Sequence, residues 1–182
     1  MASDDLVDFE PLPIPGAFAI RMRPIIDERG HFARAFCVDE FRAHGLDARV
    51  VQTSISFNAR AGTLRGLHYQ AAPFGENKLV RCVRGSVWDV IVDLRPESAA
   101  YCRWSGRTLS SDNDLMIYVP DGVAHGFVTL EDASELHYQM STKFEPSSAR
   151  GVRWDDPAFG IEWPRKGVAL SKRDQNYPDI VR

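Results

Sequence analysis

No apolar run in this 182-residue chain approaches the ~20 residues that a membrane-spanning helix needs. Cysteine is scarce. Cys37, Cys82 and Cys102 are an odd number with no CxxC pairing, which excludes a disulfide or zinc framework and reads as reduced thiols in a cytoplasmic protein. Met1–Asp5 is acidic and lacks the apolar core of a secretion signal. Charge of one sign is also lacking. A net charge of −3, from 22 basic and 25 acidic residues, argues against a nucleic acid or a membrane surface as partner. The five histidines, at 31, 44, 68, 125 and 137, form no His-x-His or His-Glu-x-x-His, so no metal is expected. His68, His125 and a carboxylate could still converge in space. No repeat, low-complexity tract or linker interrupts the chain.

What is present is core and strand. Hydrophobic residues make up 44% of the sequence, with four tryptophans, and the length is close to the ~150 residues of one domain, taken here as 1–182. Short β-rich runs fit strands at Ala17–Arg23, Val50–Ile55, Val80–Val83, Val87–Leu94, Trp104–Leu109, Met116–Val119, Ala124–Thr129 and Glu135–Met140. Arg84-Gly85-Ser86 reads as a hairpin turn between two of them. Along Val87–Leu94, Asp89, Ile91 and Asp93 share one face and Trp88, Val90, Val92 and Leu94 the other. Asp93 reads as a solvated position, while Asp89 suits a solvated face or a cavity wall equally. One early helix is expected at Val38–Ala43, with acids near its start and Gly45 stopping it. His44, at its end, reads as a dipole partner. The expectation is an all-β antiparallel sandwich or barrel with a few short peripheral helices, wrapped by the Pro- and charge-rich tail 155–182.

The chemistry concentrates in Gly62-Thr63-Leu64-Arg65-Gly66-Leu67-His68-Tyr69-Gln70. Histidine exchanges a proton near neutral pH, and Lys78 lies ten residues on. A base beside a fixed cation suits proton abstraction next to a carbonyl, because the enolate needs a positive partner. His125 follows Pro120-Asp121-Gly122 among small neighbours that leave room for a ligand; a core histidine bonded to backbone is the equal alternative. Tyr138 could act as a general acid or simply pack. In Leu170-Ser171-Lys172-Arg173-Asp174, Arg173 suits phosphate and Asp174 could orient a histidine, although such segments are commonly plain surface.

Together these segments resemble the dTDP-4-dehydrorhamnose 3,5-epimerase family of cupin-fold sugar-nucleotide enzymes, from about Ile14 to Asp174. The likeness is carried by Asp27-Glu28-Arg29-Gly30, Leu64–Gln70, Lys78-Leu79-Val80-Arg81, Val90–Arg95, Pro120–Phe127 and Trp154-Asp155-Asp156-Pro157. Pro120-x-Gly122-x-x-His125 is also the second cupin signature, and the first signature's His-x-His is missing, as in metal-free members. The resemblance implies a cupin-type jelly roll with no cofactor, acting on a nucleotide-diphosphate 4-keto-6-deoxy sugar. It implies His68 as base, Asp174 as the carboxylate that polarises it, Tyr138 as proton donor or acceptor on the other ring face, and Lys78 near the C4 oxygen. Arg65 and His125 match substrate-binding residues, and Arg29 and Arg173 contacts to the diphosphate. Phe32 and Gln52 match nucleotide positions, Phe144 matches an aromatic that stacks on the base, and Asp89 completes the expected substrate-binding set. Family members are dimers in which an N-terminal strand crosses to the partner and completes its site. Segment 1–25, with Phe18–Met22 as the exchanged edge strand, would play that part here.

The chain also departs from the family pattern. Arg34 and Ala149 stand where glutamates are usual, and Phe144 stands for a tyrosine. Gln52–Asn58 lacks the usual Gln-Asp-Asn and is one residue longer before Leu64-Arg65-Gly66. All four changes belong to nucleotide recognition, while the catalytic set is intact. The alternatives are an epimerase of C3 alone or C5 alone in a specialised deoxysugar pathway, on dTDP or another nucleotide, and a non-catalytic sugar-nucleotide-binding cupin. A metal-dependent cupin dioxygenase is a third.

Overall fold

The computed structural model describes residues 6–165 and 169–180, so Met1–Asp5 and parts of the 155–182 tail lie outside it. In chain order the strands are β1 (Val7–Pro11), β2 (Phe18–Met22), β3 (Ile25–Asp27), β4 (Gly30–Phe32), β5 (Gln52–Asn58), β6 (Leu64–Gln70) and β7 (Lys78–Arg84). They continue as β8 (Ser86–Asp93), β9 (Trp104–Ser110), β10 (Leu115–Val119), β11 (Val123–Thr129), β12 (Ser134–Met140) and β13 (Ala149–Gly151). Two short helices, α1 (Val38–Ala43) and α2 (Lys172–Gln175), lie outside the sheets, and no helix of the described residues is long and apolar enough to cross a membrane.

Six strands form one antiparallel sheet in the order β1-β2-β10-β7-β12-β5, and five form a second in the order β13-β6-β11-β8-β9. From β5 onward the chain steps from one sheet to the other at nearly every connection, as in a jelly roll. Arg84-Gly85-Ser86 is therefore not a hairpin: β7 and β8 belong to different sheets. Gly85 adopts φ +68°, and a Cβ there would stand 2.6 Å from the Ser134 hydroxyl, so the chain turns a corner that only glycine fits. Alternation alone does not distinguish a corner from a hairpin, because both flanking strands keep period two.

Between the sheets lies a core that includes Val80, Cys82, Val87, Ile91, Ile117, Phe127 and Leu136. The outer face of the first sheet is covered by α1 through Phe41, against Ile20, Met116 and Tyr118. Trp88, Val90 and Val92 face outward from the second sheet and are covered by Val152, Phe159 and Trp163. Both sides of β8 are therefore buried, the inner one including Asp89 and Asp93. β2 is not an edge strand: it pairs with β1 and β10 of its own chain. The projecting element is the β3–β4 ribbon, which pairs with neither large sheet.

Asp93 is not solvated either. It is fully buried, and its carboxylate accepts hydrogen bonds from the Arg95 backbone and guanidinium and the Ser98 hydroxyl at 2.6 to 3.0 Å. Burial by itself would raise this carboxyl, but the hydrogen bonds from Arg95 and Ser98 hold it below its ordinary 3.8. A carboxyl depressed in the folded state stabilises above its unfolded value, and the gain disappears as pH falls through the folded value. Asp93→Asn is expected to cost roughly 1–3 kcal/mol at neutral pH. It should also flatten the loss of stability in acid. Urea denaturation at neutral and acid pH measures both effects, and an unchanged neutral midpoint would contradict the assignment.

Candidate active site

At one end of the sandwich the two sheets part around a cavity of about 630 Å³, a size that takes a ligand of several rings. The wall from the first sheet carries Gln52, Ser54 and Ser56 of β5, Tyr138 of β12 and Lys78 of β7. The facing wall carries Arg65 and His68 of β6 with His125 and Phe127 of β11, and α2 brings Arg173 and Asp174 across the opening.

Arg65 and His68 are three residues apart, so strict alternation would put them on opposite faces of β6. A bulge corrects this. His68 pairs with His125 and Arg65 with Phe127, so three steps on β6 span two on β11 and both side chains face the cavity. The bulge needs two glycines. Gly66 sits at φ +127°, where a Cβ would fall 2.6 Å from the Gly126 Cα; a Cβ on Gly126 would fall 2.7 Å from the Arg65 carbonyl.

His68 Nε2 lies 2.7 Å from Asp174 Oδ1, and the Gly66 amide donates to the other carboxylate oxygen at 3.4 Å. Asp174 is buried, and Ser171 caps the first turn of α2 by accepting from its amide. Burial pushes the Asp174 carboxyl up, but the His68 hydrogen bond and charge, with the Gly66 and Ser171 contacts, outweigh it and hold the group below its ordinary value. An ionised Asp174 fixes the hydrogen on His68 Nε2 and leaves Nδ1 with its lone pair. A second dyad backs the first: His125 Nε2 is 2.7 Å from Asp89 Oδ2, both buried. The His125 ring meets Tyr138 edge-on at 5.8 Å. Desolvation drives the Tyr138 hydroxyl well above its ordinary value, and the nearby Asp89 charge adds to this, so it remains a protonated donor.

The buried Lys78 ammonium has two partners, Glu76 Oε1 at 3.1 Å and the His68 carbonyl at 3.3 Å. Arg65 is clamped through Nε to Asn58 Oδ1 at 2.7 Å. Gln52 accepts from the Phe144 amide at 3.0 Å, and Phe144 stands half-exposed on the cavity lining.

Not every expected residue reaches the cavity. Asp89, expected in the substrate-binding set, is not among the cavity's lining residues; it is buried behind His125, which one of its carboxylate oxygens holds. Arg29 and Phe32 sit on the β3–β4 ribbon and are not among the cavity's lining residues, Arg29 being paired with Asp27. Arg34 faces α1 and pairs with Glu40 at 3.0 Å. His44 caps α1, as the helix-end reading expects, and also stacks on Phe9 with ring centroids 3.8 Å apart. Among the described residues no group of three His, Cys, Asp or Glu side chains converges on one point. The sequence reading passed over Glu76, Ser54 and Ser56. The two serines were legible from their period-two spacing with Gln52; Glu76 had only its nearness to Lys78.

The sequence profile of the dTDP-4-dehydrorhamnose 3,5-epimerase family matches residues 11–181. The chain is 40% identical over 177 residues to a dTDP-4-dehydrorhamnose 3,5-epimerase of Sinorhizobium fredii, covering 97% of this chain and 91% of the relative. The fold is similar to the crystal structure of dTDP-4-dehydrorhamnose 3,5-epimerase from Elizabethkingia anophelis, with TM-score 0.93 and 35% identity over 96% of this chain and 97% of that one. It is also similar to NovW of Streptomyces spheroides, a 4-keto-6-deoxy sugar epimerase, with TM-score 0.91 and 36% identity over 96% and 88% of the two chains.

The glycine pair behind the bulge gives the site a direct test. Gly66→Ala forces a methyl into backbone that cannot move aside, and is expected to cost at least about 2 kcal/mol. A urea midpoint equal to that of the unmodified protein would show that the bulge does not depend on this contact.

Proposed function

The chain belongs to the dTDP-4-dehydrorhamnose 3,5-epimerase family, and on that footing we propose that it inverts C3, C5 or both in a nucleotide-linked 4-keto-6-deoxyhexose. The observation that carries this reading is the His68–Asp174 dyad on one wall of a cavity whose opposite wall holds Tyr138 and Lys78. The C4 ketone acidifies the hydrogens on both neighbouring carbons. His68 Nδ1 takes one of them, the C–H electron pair moves into the ring, and the C4 oxygen becomes an enolate oxygen. The Lys78 ammonium stabilises that charge. The Tyr138 O–H returns a proton to the other face of the carbon, which inverts it, and the proton balance is restored by exchange with solvent. Carbon leaves at the oxidation level at which it entered, so the reaction calls for no redox cofactor.

Arg65 and Arg173, at the cavity opening, suit the diphosphate, since a guanidinium meets phosphate oxygens in pairs. His125 would bind the sugar, and Gln52 and Phe144 the nucleoside. Arg29 and Phe32 fit this reading if they come from a second subunit, and we propose a homodimer. In support, Ile25, Ile26 and Phe32 are 58%, 79% and 71% exposed on a ribbon that neither large sheet claims. The three unpaired cysteines suit a reducing, cytoplasmic setting.

Incubation with dTDP-, GDP-, UDP- and CDP-linked 4-keto-6-deoxy sugars in deuterated water, followed by NMR, tests the reaction and ranks the nucleotides. Deuterium is expected at C3, C5 or both; label at one carbon alone assigns the single-site epimerase, and label at neither with any substrate overturns the reading. His68→Asn should lower the exchange rate by roughly 10²–10⁴-fold while leaving the folded structure intact. Light scattering should give twice the chain mass, and Ile26→Glu with Phe32→Glu should shift that mass towards the monomer. A monomer with full activity would refute the dimer.

A further inference from the structure

Tyr177 follows α2 and belongs to none of the motifs discussed so far. Its ring nevertheless lies beside the proposed base, with centroids 6.0 Å apart and planes at 69°. The reason is a missing side chain. Gly151 of β13 pairs directly with His68, so any side chain at 151 would stand next to the imidazole on the same face. A Cβ built on Gly151 would fall 2.3 Å from the Tyr177 ring carbons Cε2 and Cζ, so the ring occupies the space that a side chain there would fill. On its other side the Arg173 guanidinium carbon stands 5.7 Å from the ring centroid, within cation–π range. The hydroxyl is buried, which raises it above its ordinary value, and the nearby Arg173 guanidinium works against that rise.

We propose that Tyr177 is a positioning residue whose ring, seated over Gly151, fixes the plane of the His68 imidazole and links it to Arg173. The need follows from the rotamer physics of histidine. Its second side-chain torsion has broad wells, and one hydrogen bond from Nε2 to Asp174 tethers the ring without fixing its tilt. Tilt decides where the Nδ1 lone pair points, and that direction must match a C–H bond. A flat edge packed against the imidazole removes this freedom. The ring is what meets both the imidazole and the guanidinium, so this work falls to the ring and not to the hydroxyl. The contact with Arg173 places the phosphate-binding guanidinium and the base on one rigid support. The catalytic part of this proposal rests on the epimerase reading; the structural part does not.

Tyr177→Phe, Tyr177→Leu, Tyr177→Ala and Gly151→Ala separate these roles. Phe should keep kcat within about twofold, whereas Leu and Ala should lower kcat about 10- to 100-fold with KM within about threefold. Gly151→Ala, which ejects the ring without altering Tyr177, should reproduce the Ala result, and Leu retains apolar bulk should the Ala variant fold poorly. In parallel, proton NMR of protein labelled with ¹⁵N-histidine follows the His68 Nε2–H held by Asp174, with no substrate present. That resonance should persist in the Phe variant and be lost to solvent exchange in the Leu, Ala and Gly151→Ala variants. Unchanged kcat and an unchanged resonance in the Leu variant would overturn the proposal, as would a Phe variant as impaired as Ala. If the unmodified protein exchanges no substrate, the epimerase reading fails, and the NMR arm still decides the role of Tyr177.

Discussion

The hydrogen bond between His68 and Asp174 joins residues 106 positions apart in the sequence and decides what this cavity can do. Without it the C-terminal segment would only cover the outer face of the second sheet, and His68 would be one histidine on a strand. Asp174 does two things at once: one oxygen holds the imidazole, and the other receives the Gly66 amide at the bulge. The carboxylate is buried, so losing either partner would leave charge poorly compensated in a low-dielectric setting. That constraint fixes α2 against β6, brings Arg173 to the opening and seats Tyr177 over Gly151. The cavity's His68 and the closing of the sandwich end thus share one hydrogen bond.

The bulge is the second constraint and is independent of the first. A cavity wall made from one regular strand offers side chains at every second residue, which would spread Arg65 and His68 over opposite faces. Three residues on β6 set against two on β11 put the Arg65 guanidinium and the His68 imidazole on one face, with His125 and Phe127 opposite them. Only glycines at 66 and 126 permit the backbones to approach so closely. The glycine following Arg65 is thus a geometric device, and the motif Leu64-Arg65-Gly66-Leu67-His68 is legible as chemistry because its spacing violates simple alternation.

Much of the fold was legible from the period-two runs, because strand alternation is a local property; the expected strands β7 to β12 lie within a residue or two of those observed. What failed is what alternation does not encode. Arg84-Gly85-Ser86 looks like a hairpin, yet β7 and β8 part into different sheets, since the partner of a strand is chosen by packing far away in sequence. Asp93 looked solvated because its neighbours alternate, whereas Arg95 and Ser98 satisfy its carboxylate inside the fold. Asp89 read equally as a solvated position or a cavity wall, whereas it is buried and supports a wall residue, His125. Phe18–Met22 looked like an edge strand but lies between β1 and β10. In the site, His68, Lys78, Tyr138 and Asp174 could be named from motifs, while Glu76 and Tyr177 could not. Their roles come from three-dimensional neighbours, Lys78 in one case and Gly151 in the other.

The departures from the family pattern have a physical distribution. The residues around His68 are held by buried contacts: the two dyads, the Lys78–Glu76 pair and the glycine-dependent bulge. Changing any of these strands a buried charge or creates a clash, which costs far more than a surface exchange. Phe144, by contrast, is half-exposed at the mouth, and Arg34 pairs with Glu40 against α1 without entering the cavity. A side chain at the mouth can be replaced with little effect on the interior, so the mouth can vary while His68, Lys78 and Tyr138 remain where the backbone sets them. An arginine in a position that commonly carries an acid is then informative in itself. Its guanidinium is consumed by Glu40, which also accepts the Leu6 amide at the start of β1. Glu40 thereby joins the N-terminal strand to α1, and a glutamate at 34 would set a second negative charge beside that carboxylate in place of the guanidinium that now neutralises it.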